Sequence, residues 1–473
     1  MGKQDRNKYL LKNTIIFAIG NFASKIISFF FIPLYTNVLT TSEYGTADLV
    51  STIALLVIPL ITLNISEAIM RFALDKDADY YKIMSTGMAI LLAAAIAGLL
   101  VVPISTSIES VKLYSWIIYF YIIASAANGI LLYYLRGKEL LVQYAIGNII
   151  NSFSFAALNI LFLLVLHLGI TGYLLAYAVS QLITAVYAFI VGDVRGVIRN
   201  FKLDKNLSIA MVKYSAVLIP NSLMWWIMNS SDRIMVTSMI SASANGIYTV
   251  SYKIPSLLNV VSVIFNQAWS YSAIREDDSS DIEDYSNRIY DNMVRLLLLV
   301  AVILMFMIKP FMGIYVEKSY FDAWKYTPYL FTGLVFLTLA TFLATQYTVH
   351  KDSKGYLFSS STGALLNILL NWLLIPRLGI AGAAFATCVS YISVFAYRVI
   401  DCKKYMNIHV FTKGNTIAYI ILLIDTICLI ADKAFSSIVL GLIVVVVTLL
   451  YRNSYVEFMK GFFRSLKRRK ANG

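Results

Sequence analysis

The stretches LGITGYLLAYAVSQLITAVY (168–187) and LGIAGAAFATCVSYISVFAY (378–397) align without a gap, and eight of their twenty positions are identical. The segments that precede them also match, with ALNIL (157–161) against LLNIL (365–369). Each copy is long and apolar enough for one membrane-spanning helix. The chain is therefore predicted to contain two related helical bundles, a repeat that decides the fold.

The composition agrees with a membrane protein. Of 473 residues, 59% are hydrophobic and 14% are charged, and the mean hydropathy is +0.73. A water-soluble chain of this length could not bury so much apolar surface. Apolar runs of about 20 residues predict fourteen transmembrane helices. The runs are 13–37, 45–71, 83–106, 114–135, 141–166, 170–191, 213–240, 246–271, 289–313, 325–348, 355–376, 379–400, 414–432 and 436–453.

The predicted fold class is an all-α polytopic membrane protein. Two six-helix lobes form a parallel repeat, because an even helix number keeps both copies in one orientation, and two further helices follow. The predicted domains are 1–200 (helices 1–6), 201–405 (helices 7–12), 406–455 (helices 13 and 14) and 456–473 (a basic cytoplasmic tail).

The positive charges fix the predicted orientation. Of the 39 Lys and Arg residues, 30 lie on the side of the N-terminus when successive loops are assigned to alternate sides, and 6 lie on the other. This bias predicts that both termini are cytoplasmic. The net charge of +13 is spread over loops and ends, which argues against a nucleic-acid partner.

Three cations lie at least seven residues from either end of a predicted span: Lys25 in helix 1, Arg233 in helix 7 and Lys253 in helix 8. A charge in hydrocarbon costs roughly 3 kcal/mol or more, so such residues indicate a polar interior that receives an anionic ligand. Internal ion pairing is the alternative. The carboxylates available for it are Asp48, Asp232 and Asp425. Snorkelling to the interface is a further alternative for Arg233 and Lys253.

Four of the eight prolines lie more than three residues from the ends of predicted helices, two in the opening helices of each half. They are Pro33, Pro59, Pro220 and Pro255. Proline removes a backbone hydrogen bond and bends a helix. Interrupted helices at matching positions of two repeats mark the binding site of a transporter, although prolines also serve packing alone.

For several other polar residues, both a structural and a substrate-binding role are consistent with the sequence. Arg71 forms a helix-end ion pair with Glu67, four residues earlier, or admits an anionic head group from the cytoplasm. The amides of a second set bind sugars in a wet cavity or join helices to one another. This set comprises Asn221, Asn229, Gln267 and Gln346.

The sequence predicts a transporter and not an enzyme. It contains no P-loop, GxSxG or HExxH motif. The three cysteines form no CxxC pair and the three histidines are far apart, so no metal site, catalytic residue or cofactor is expected.

Two stretches carry a resemblance to a known family. FIPLYTNVLTTSEYGTADL (31–49) and NSSDRIMV (229–236), the latter following Pro-Asn (220–221), resemble Wzx-type polysaccharide flippases. These belong to the superfamily that includes MATE exporters and lipid II flippases. The resemblance covers essentially the whole chain, with diffuse motifs.

The resemblance implies two lobes around a central cavity that opens to each side in turn. The implied substrate is an undecaprenyl-pyrophosphate-linked oligosaccharide, as in O-antigen and other lipopolysaccharide assembly. Lipid II flippases carry essential basic residues in their first and eighth helices, where this chain has Lys25 and Lys253. Helices 13 and 14 would hold the lipid tail, and membrane lipids and other polysaccharide-assembly membrane proteins are the expected partners.

The sequence also suggests a driving ion and leaves two alternative functions open. Proton or sodium counterflow would drive transport, with Asp48 or Asp232 as carrier. A MATE-type drug antiporter shares the architecture but favours acids in the lobe interior, where helix 1 has a lysine. A polytopic glycan polymerase or ligase needs a sizeable outer loop. The longest predicted outer connection, 313–325, has about 12 residues.

Overall fold

The computed structural model describes residues 27, 29–75, 77–259, 262, 282–350, 352–452 and 455. In these residues the regular structure is helical and contains no β-strand. The chain divides into two compact units, Met1–Gly246 and Ile247–Gly473. The predicted basic tail at 456–473 lies outside the described residues.

The first unit contains ten helices within the described residues and the start of another. They are α1 (Ile32–Val38), α2 (Thr41–Ile61), α3 (Ile65–Ala73), α4 (Tyr80–Gly98), α5 (Val101–Thr106), α6 (Ser115–Gly137), α7 (Leu141–Asn159), α8 (Gly169–Val191), α9 (Val194–Arg199), α10 (Lys205–Met239) and α11 (Ala242–Lys253). Helix α11 crosses the boundary between the two units.

The second unit contains six more helices within the described residues. They are α12 (Ile282–Tyr315), α13 (Thr327–Val349), α14 (Ser353–Leu378), α15 (Ile380–Asp401), α16 (Lys413–Ala431) and α17 (Ser436–Leu450).

Side-chain caps set where several helices begin. Thr40 and Glu43 form a capping box at the start of α2, and Asp79 and Asp204 accept backbone N–H groups at the starts of α4 and α10. Asp352 caps α14 in the same way. Each cap satisfies N–H groups that have no partner inside the helix.

The described part of the chain has eleven helical stretches long and apolar enough to cross a membrane, and Ser436–Leu450 is a shorter apolar helix. These twelve match the predicted spans, apart from the first and the eighth, which extend into undescribed residues. The prediction of an all-α polytopic membrane protein is confirmed.

The core of the first unit joins α3, α4, α6, α8, α9 and α10 through buried apolar side chains such as Ile69, Ile130 and Met211. Helix α10 packs on α2 and α3. The compact unit therefore extends one helix beyond the predicted domain border at residue 200, because α10 belongs to the second sequence repeat but packs with the first unit.

In the second unit α13 is buried along most of its length and packs against α12, α14, α15 and α16. The Arg398 side chain, 3% exposed, ties α13, α14 and α15 together. It donates to the hydroxyls of Ser359 and Ser360 and to the carbonyl of Ala340. Neutral acceptors thus satisfy this buried cation, which makes Arg398 a structural clamp.

The regular helix is interrupted near three of the four prolines in the opening helices of the two halves. The second predicted span divides into α2 and α3 just after Pro59, and Leu63 and Asn64 at the break have positive φ angles of 50° and 55°. Pro33 lies in the first turn of α1, and Pro255 lies in a turn just after α11 ends. Pro220, in contrast, lies within the continuous α10.

Candidate functional site

The first turns of α2 and α11 approach each other so closely that only glycine fits between them. A Cβ atom on Gly45 would lie 1.8 Å from the carbonyl oxygen of Ala242, and one on Gly246 would lie 2.0 Å from that of Thr41. Gly45 therefore makes room for the backbone of α11 at Ala242, and Gly246 makes room for the backbone of α2 at Thr41. Close backbone approach of this kind is how small residues join membrane helices.

Hydrogen bonds reinforce the same contact. The hydroxyl oxygens of Thr41 and Ser243 are 2.6 Å apart, and the Asn245 amide donates to the Gly45 carbonyl at 2.8 Å. TSEYG (41–45) and ASANG (242–246) are 201 residues apart and occupy corresponding turns of the two predicted repeats. We call these two segments the glycine contact. The predicted topology places it at the outer side of the membrane.

An ion pair lies about one turn further along α2, where this helix meets α10. Arg233 of α10 donates from Nη1 to Oδ1 of Asp48 on α2 at 3.2 Å. The side chains are 21% and 9% exposed, so water screens the pair only partly. Of the three carboxylates weighed as neutralisers of Arg233, the structure brings Asp48 to it. The other oxygen of Asp48, Oδ2, is buried without a hydrogen-bond partner among the described residues.

Asp232, the sequence neighbour of Arg233, lies on the same helix and is 1% exposed. Its Oδ1 accepts the backbone N–H of Arg233 at 2.9 Å. Successive helical residues point in different directions. Arg233 therefore reaches across to α2 while Asp232 bonds its own backbone.

Two further contacts hold α10 against α2 and the start of α3. The Trp226 indole N–H donates to the carbonyl of Thr52 at 2.9 Å, and the Asn64 amide donates to the Ser222 hydroxyl at 3.4 Å. Asn64 is at the break between α2 and α3. The seam between α2 and α10 thus runs from the ion pair to the proline-associated break.

Two other candidate cations, Arg71 and Lys253, lie in the described residues. Arg71 of α3 is exposed and pairs at 2.6 Å with Asp75, one turn later in the chain, and not with Glu67, one turn earlier. Lys253 ends α11 and is half-buried in the second unit. Lys25 and Gln267 lie outside the described residues.

The predicted sugar-binding amides are dispersed. Asn221 is exposed on α10, and Asn229 donates to the carbonyl of Trp225 on the same helix. Gln346 of α13 is 2% exposed, and its amide nitrogen lies 3.7 Å from the sulfur of Met406. In the described residues no group of three or more His, Cys, Asp and Glu side chains could hold a metal ion.

Sequence reasoning missed the glycine contact and Trp226. A signal for the contact existed, because TSEYG and ASANG share a small residue four positions before a glycine. That pattern is short and common in membrane helices, so composition alone does not mark it as a contact.

Comparison with known proteins identifies the family. A family model described as polysaccharide biosynthesis protein matches residues 10–271, more than half of the chain. The chain belongs to this polysaccharide biosynthesis protein family. The family expected from the sequence is thereby confirmed. A curated relative, an uncharacterized membrane protein of Methanocaldococcus jannaschii, is 23% identical and aligns over 84% of this chain and 99% of its own.

Solved structures of low sequence identity share the fold. The lipid II flippase MurJ in an inward closed conformation aligns with a TM-score of 0.60 at 15% identity, covering 93% of this chain and 99% of its own. An inward-facing multidrug resistance MATE family transporter of the MOP superfamily aligns with a TM-score of 0.62 at 12% identity, covering 88% and 100%. At such identities the similarity establishes the fold.

Proposed function

We propose that this protein is a flippase that moves an undecaprenyl-pyrophosphate-linked oligosaccharide across the bacterial inner membrane by alternating access. Membership of the polysaccharide biosynthesis protein family supports a glycan precursor as cargo. The fold shared with a lipid II flippase supports a lipid-linked one.

The observation that carries this proposal is the partly buried pair of Arg233 and Asp48. A diphosphate bears about two negative charges and offers oxygens that match the guanidinium fork, so it competes well with a single carboxylate for Arg233. Binding the diphosphate would separate Arg233 from Asp48. The cargo would thereby weaken one of the contacts that join α2 to α10.

The rest of the proposed cycle follows from the same contacts. The glycine contact closes the predicted outer side while the diphosphate enters from the inner leaflet, and loss of the ion pair favours its opening. Asp48, once released, or Asp232 takes up a proton or a sodium ion. Seven further residues belong to the proposed site for the anion and the sugars. Lys25, Lys253 and Arg71 bind or admit the diphosphate, and Asn221, Asn229, Gln267 and Gln346 contact sugars.

A reconstituted assay tests the proposed substrate and site. Vesicles containing the protein and a labelled lipid-linked oligosaccharide should lose label from the outer leaflet as it becomes protected inside. The double variant Asp48→Asn/Arg233→Gln removes both charges together, so it should fold yet lose most flipping. Wild-type rates in this variant would remove the pair from the site.

A cellular test separates the flippase from a drug exporter. Deletion of the gene should cause a lipid-linked glycan to accumulate facing the cytoplasm. New drug sensitivity without any such accumulation would instead support the exporter.

Cross-linking tests the glycine contact as a closure. The Thr41 and Ser243 hydroxyls are within bonding distance, so cysteines at these positions should form a disulfide. Cys388, Cys402 and Cys428 are replaced first in the same background. Oxidation of Thr41→Cys/Ser243→Cys should stop flipping and reduction should restore it. Undiminished flipping by the cross-linked protein would rule out movement at this contact.

A further inference from the structure

A further buried carboxyl group lies on α16 of the second unit. The Asp425 side chain is 0% exposed. It is six residues from the end of α16 at Ala431 and twelve from its start at Lys413. At about 1.5 Å per residue, these distances are about 9 Å and 18 Å, so Asp425 lies well within the membrane span.

Neither oxygen of Asp425 has a hydrogen-bond partner among the described residues, and no described cation lies within ion-pair distance. The neighbouring Thr426 hydroxyl is already engaged, at 2.6 Å from that of Thr332 on α13 and 2.7 Å from the carbonyl of Leu422. The Thr426 hydroxyl is therefore hydrogen-bonded without Asp425.

The two cations in the membrane-spanning part of α12 have carboxylate partners of their own. Helix α16 packs against α12, α13 and α17. On α12, Arg295 pairs with Asp291, and Lys309 pairs with Asp432 at the C-terminal end of α16. Glu283, Asp284 and Arg288 lie in the first two turns of α12, and Lys413 begins α16.

The remaining ionisable groups of these helices are tyrosines and a cysteine, which carry no charge at neutral pH. The hydroxyls of Tyr290 and Tyr419 bond each other at 2.9 Å. Tyr347 of α13 bonds Asp401, and Tyr329 packs against Phe385. Helix α17 has no ionisable side chain, and Cys428 lies one turn after Asp425 on α16.

An ionised carboxylate without a cation or donor is strongly disfavoured in such surroundings, and a buried group of this kind neutralises instead by binding a proton. The alternative outcomes, a hydrogen-bonded or ion-paired carboxylate, both need a partner that the described neighbours do not offer. The arrangement around Asp425 therefore favours the neutral carboxylic acid.

We propose that Asp425 is a proton-binding site, and that binding and release of its proton couples transport to a proton gradient. This inference rests on the proposed flippase function. The carboxylate accepts one proton from water on one side of the membrane and releases it to water on the other, and no other bond changes. The deprotonated carboxylate cannot remain in its dry packing, so release requires α16 to shift relative to α12 and α13.

Infrared difference spectroscopy tests the proton-binding site without any transport. A protonated carboxyl band at neutral pH should be present in the wild-type protein and lost in Asp425→Asn. The matched variant Asp48→Asn should keep that band, because Asp48 is paired with a cation. Equal spectra for wild type and Asp425→Asn would overturn the proposal.

Flipping in vesicles tests the coupling. An imposed pH gradient should change the wild-type rate several-fold, and the ratio of rates with and without the gradient should move towards one in Asp425→Asn, with proton uptake by Asp48 or Asp232 accounting for any remainder. A variant that keeps the wild-type ratio overturns the coupling, as does a wild type without gradient response. Failure of the wild type to flip any lipid-linked oligosaccharide would instead refute the proposed function, while the infrared band still decides the protonation of Asp425.

Discussion

Asp48 and Asp425 are buried carboxyl groups on membrane helices, one in each unit, and their surroundings differ. Asp48 faces Arg233 on a neighbouring helix and is 9% exposed. Asp425 is fully buried, without a hydrogen-bond partner among the described residues. A low-dielectric interior tolerates a carboxyl group either beside a cation or in its protonated form. The first unit uses the former solution, and the second is inferred to use the latter.

The two solutions make different demands on function. A paired carboxylate joins two helices and is released when another anion takes its cation. A protonated carboxyl group responds to the proton concentration and needs no partner helix. One chain can therefore contain a contact sensitive to its anionic substrate and another sensitive to pH.

The largest effect is expected from breaking the ion pair on one side. Asp48→Leu leaves the partly buried Arg233 guanidinium without its carboxylate. Arg233→Leu leaves the buried Asp48 carboxylate without its cation. Removing one partner of a buried pair costs about 3–5 kcal/mol of stability. Thermal unfolding in detergent should show a marked fall in Tm for each single variant.

The double variant Asp48→Leu/Arg233→Leu is the control for that prediction. It removes both charges, so it should be more stable than either single variant. If the stability losses of the two single variants simply add in the double variant, Asp48 and Arg233 do not interact. Asp48 would then not be a carboxylate stabilised by a cation.

A smaller effect is expected from separating α2 and α11 without changing any charge. In Gly45→Ala the new Cβ would overlap the Ala242 carbonyl oxygen at 1.8 Å, so the helices must move apart. Such overpacking costs about 1–3 kcal/mol. The yield of the disulfide between cysteines at 41 and 243 should fall with the stability.

The matched control is Gly414→Ala on α16, where an added Cβ meets no atom within 4 Å. It should leave both the disulfide yield and Tm unchanged. Equal disulfide yields in Gly45→Ala and Gly414→Ala would contradict the close approach of the two turns.

A third prediction concerns a carboxylate at a helix end, in contact with water. The backbone N–H of Leu207 and then the Lys82 ammonium lower the pKa of Asp204 below its usual range. A lowered pKa in the folded state contributes stability above the unfolded pKa, and this contribution is lost as the pH falls through the folded value. The stabilisation by Asp204 is therefore present at neutral pH and lost in acid.

Asp204→Ala should lower Tm modestly at pH 7, and the difference from wild type should narrow in acid. Unfolding measured between neutral and acidic pH checks this expectation. A difference that stays constant over this range would show that the charge of Asp204 contributes nothing.

The smallest effect is expected at Asp425. Asp425→Leu replaces a neutral polar group by an apolar side chain of similar volume, so stability should stay within about 1 kcal/mol of wild type or rise. The same substitution at Asp48 is the matched comparison. A Tm loss as large as that of Asp48→Leu would mean that Asp425 is charged and has a cation partner.

The membrane helices could be predicted from sequence because apolar runs of fixed length signal them directly. The break between α2 and α3 was also predictable, since Pro59 cannot donate a backbone hydrogen bond. The partner of Arg233 was not, because Asp48 is 185 residues away and Asp232 and Asp425 were equally available by residue type. The packing of α10 onto the first unit likewise depends on tertiary contacts that a repeat does not reveal.

The glycine contact has a consequence for the origin of the chain. Thr41 meets Gly246 and Ala242 meets Gly45, so corresponding turns of the two repeats exchange the same interaction in both directions. Reciprocal exchange of this kind is the signature of an isologous, two-fold interface between identical subunits. This symmetry is what a homodimer of one six-helix unit would have, and fusion of two such copies would keep the interface inside one polypeptide.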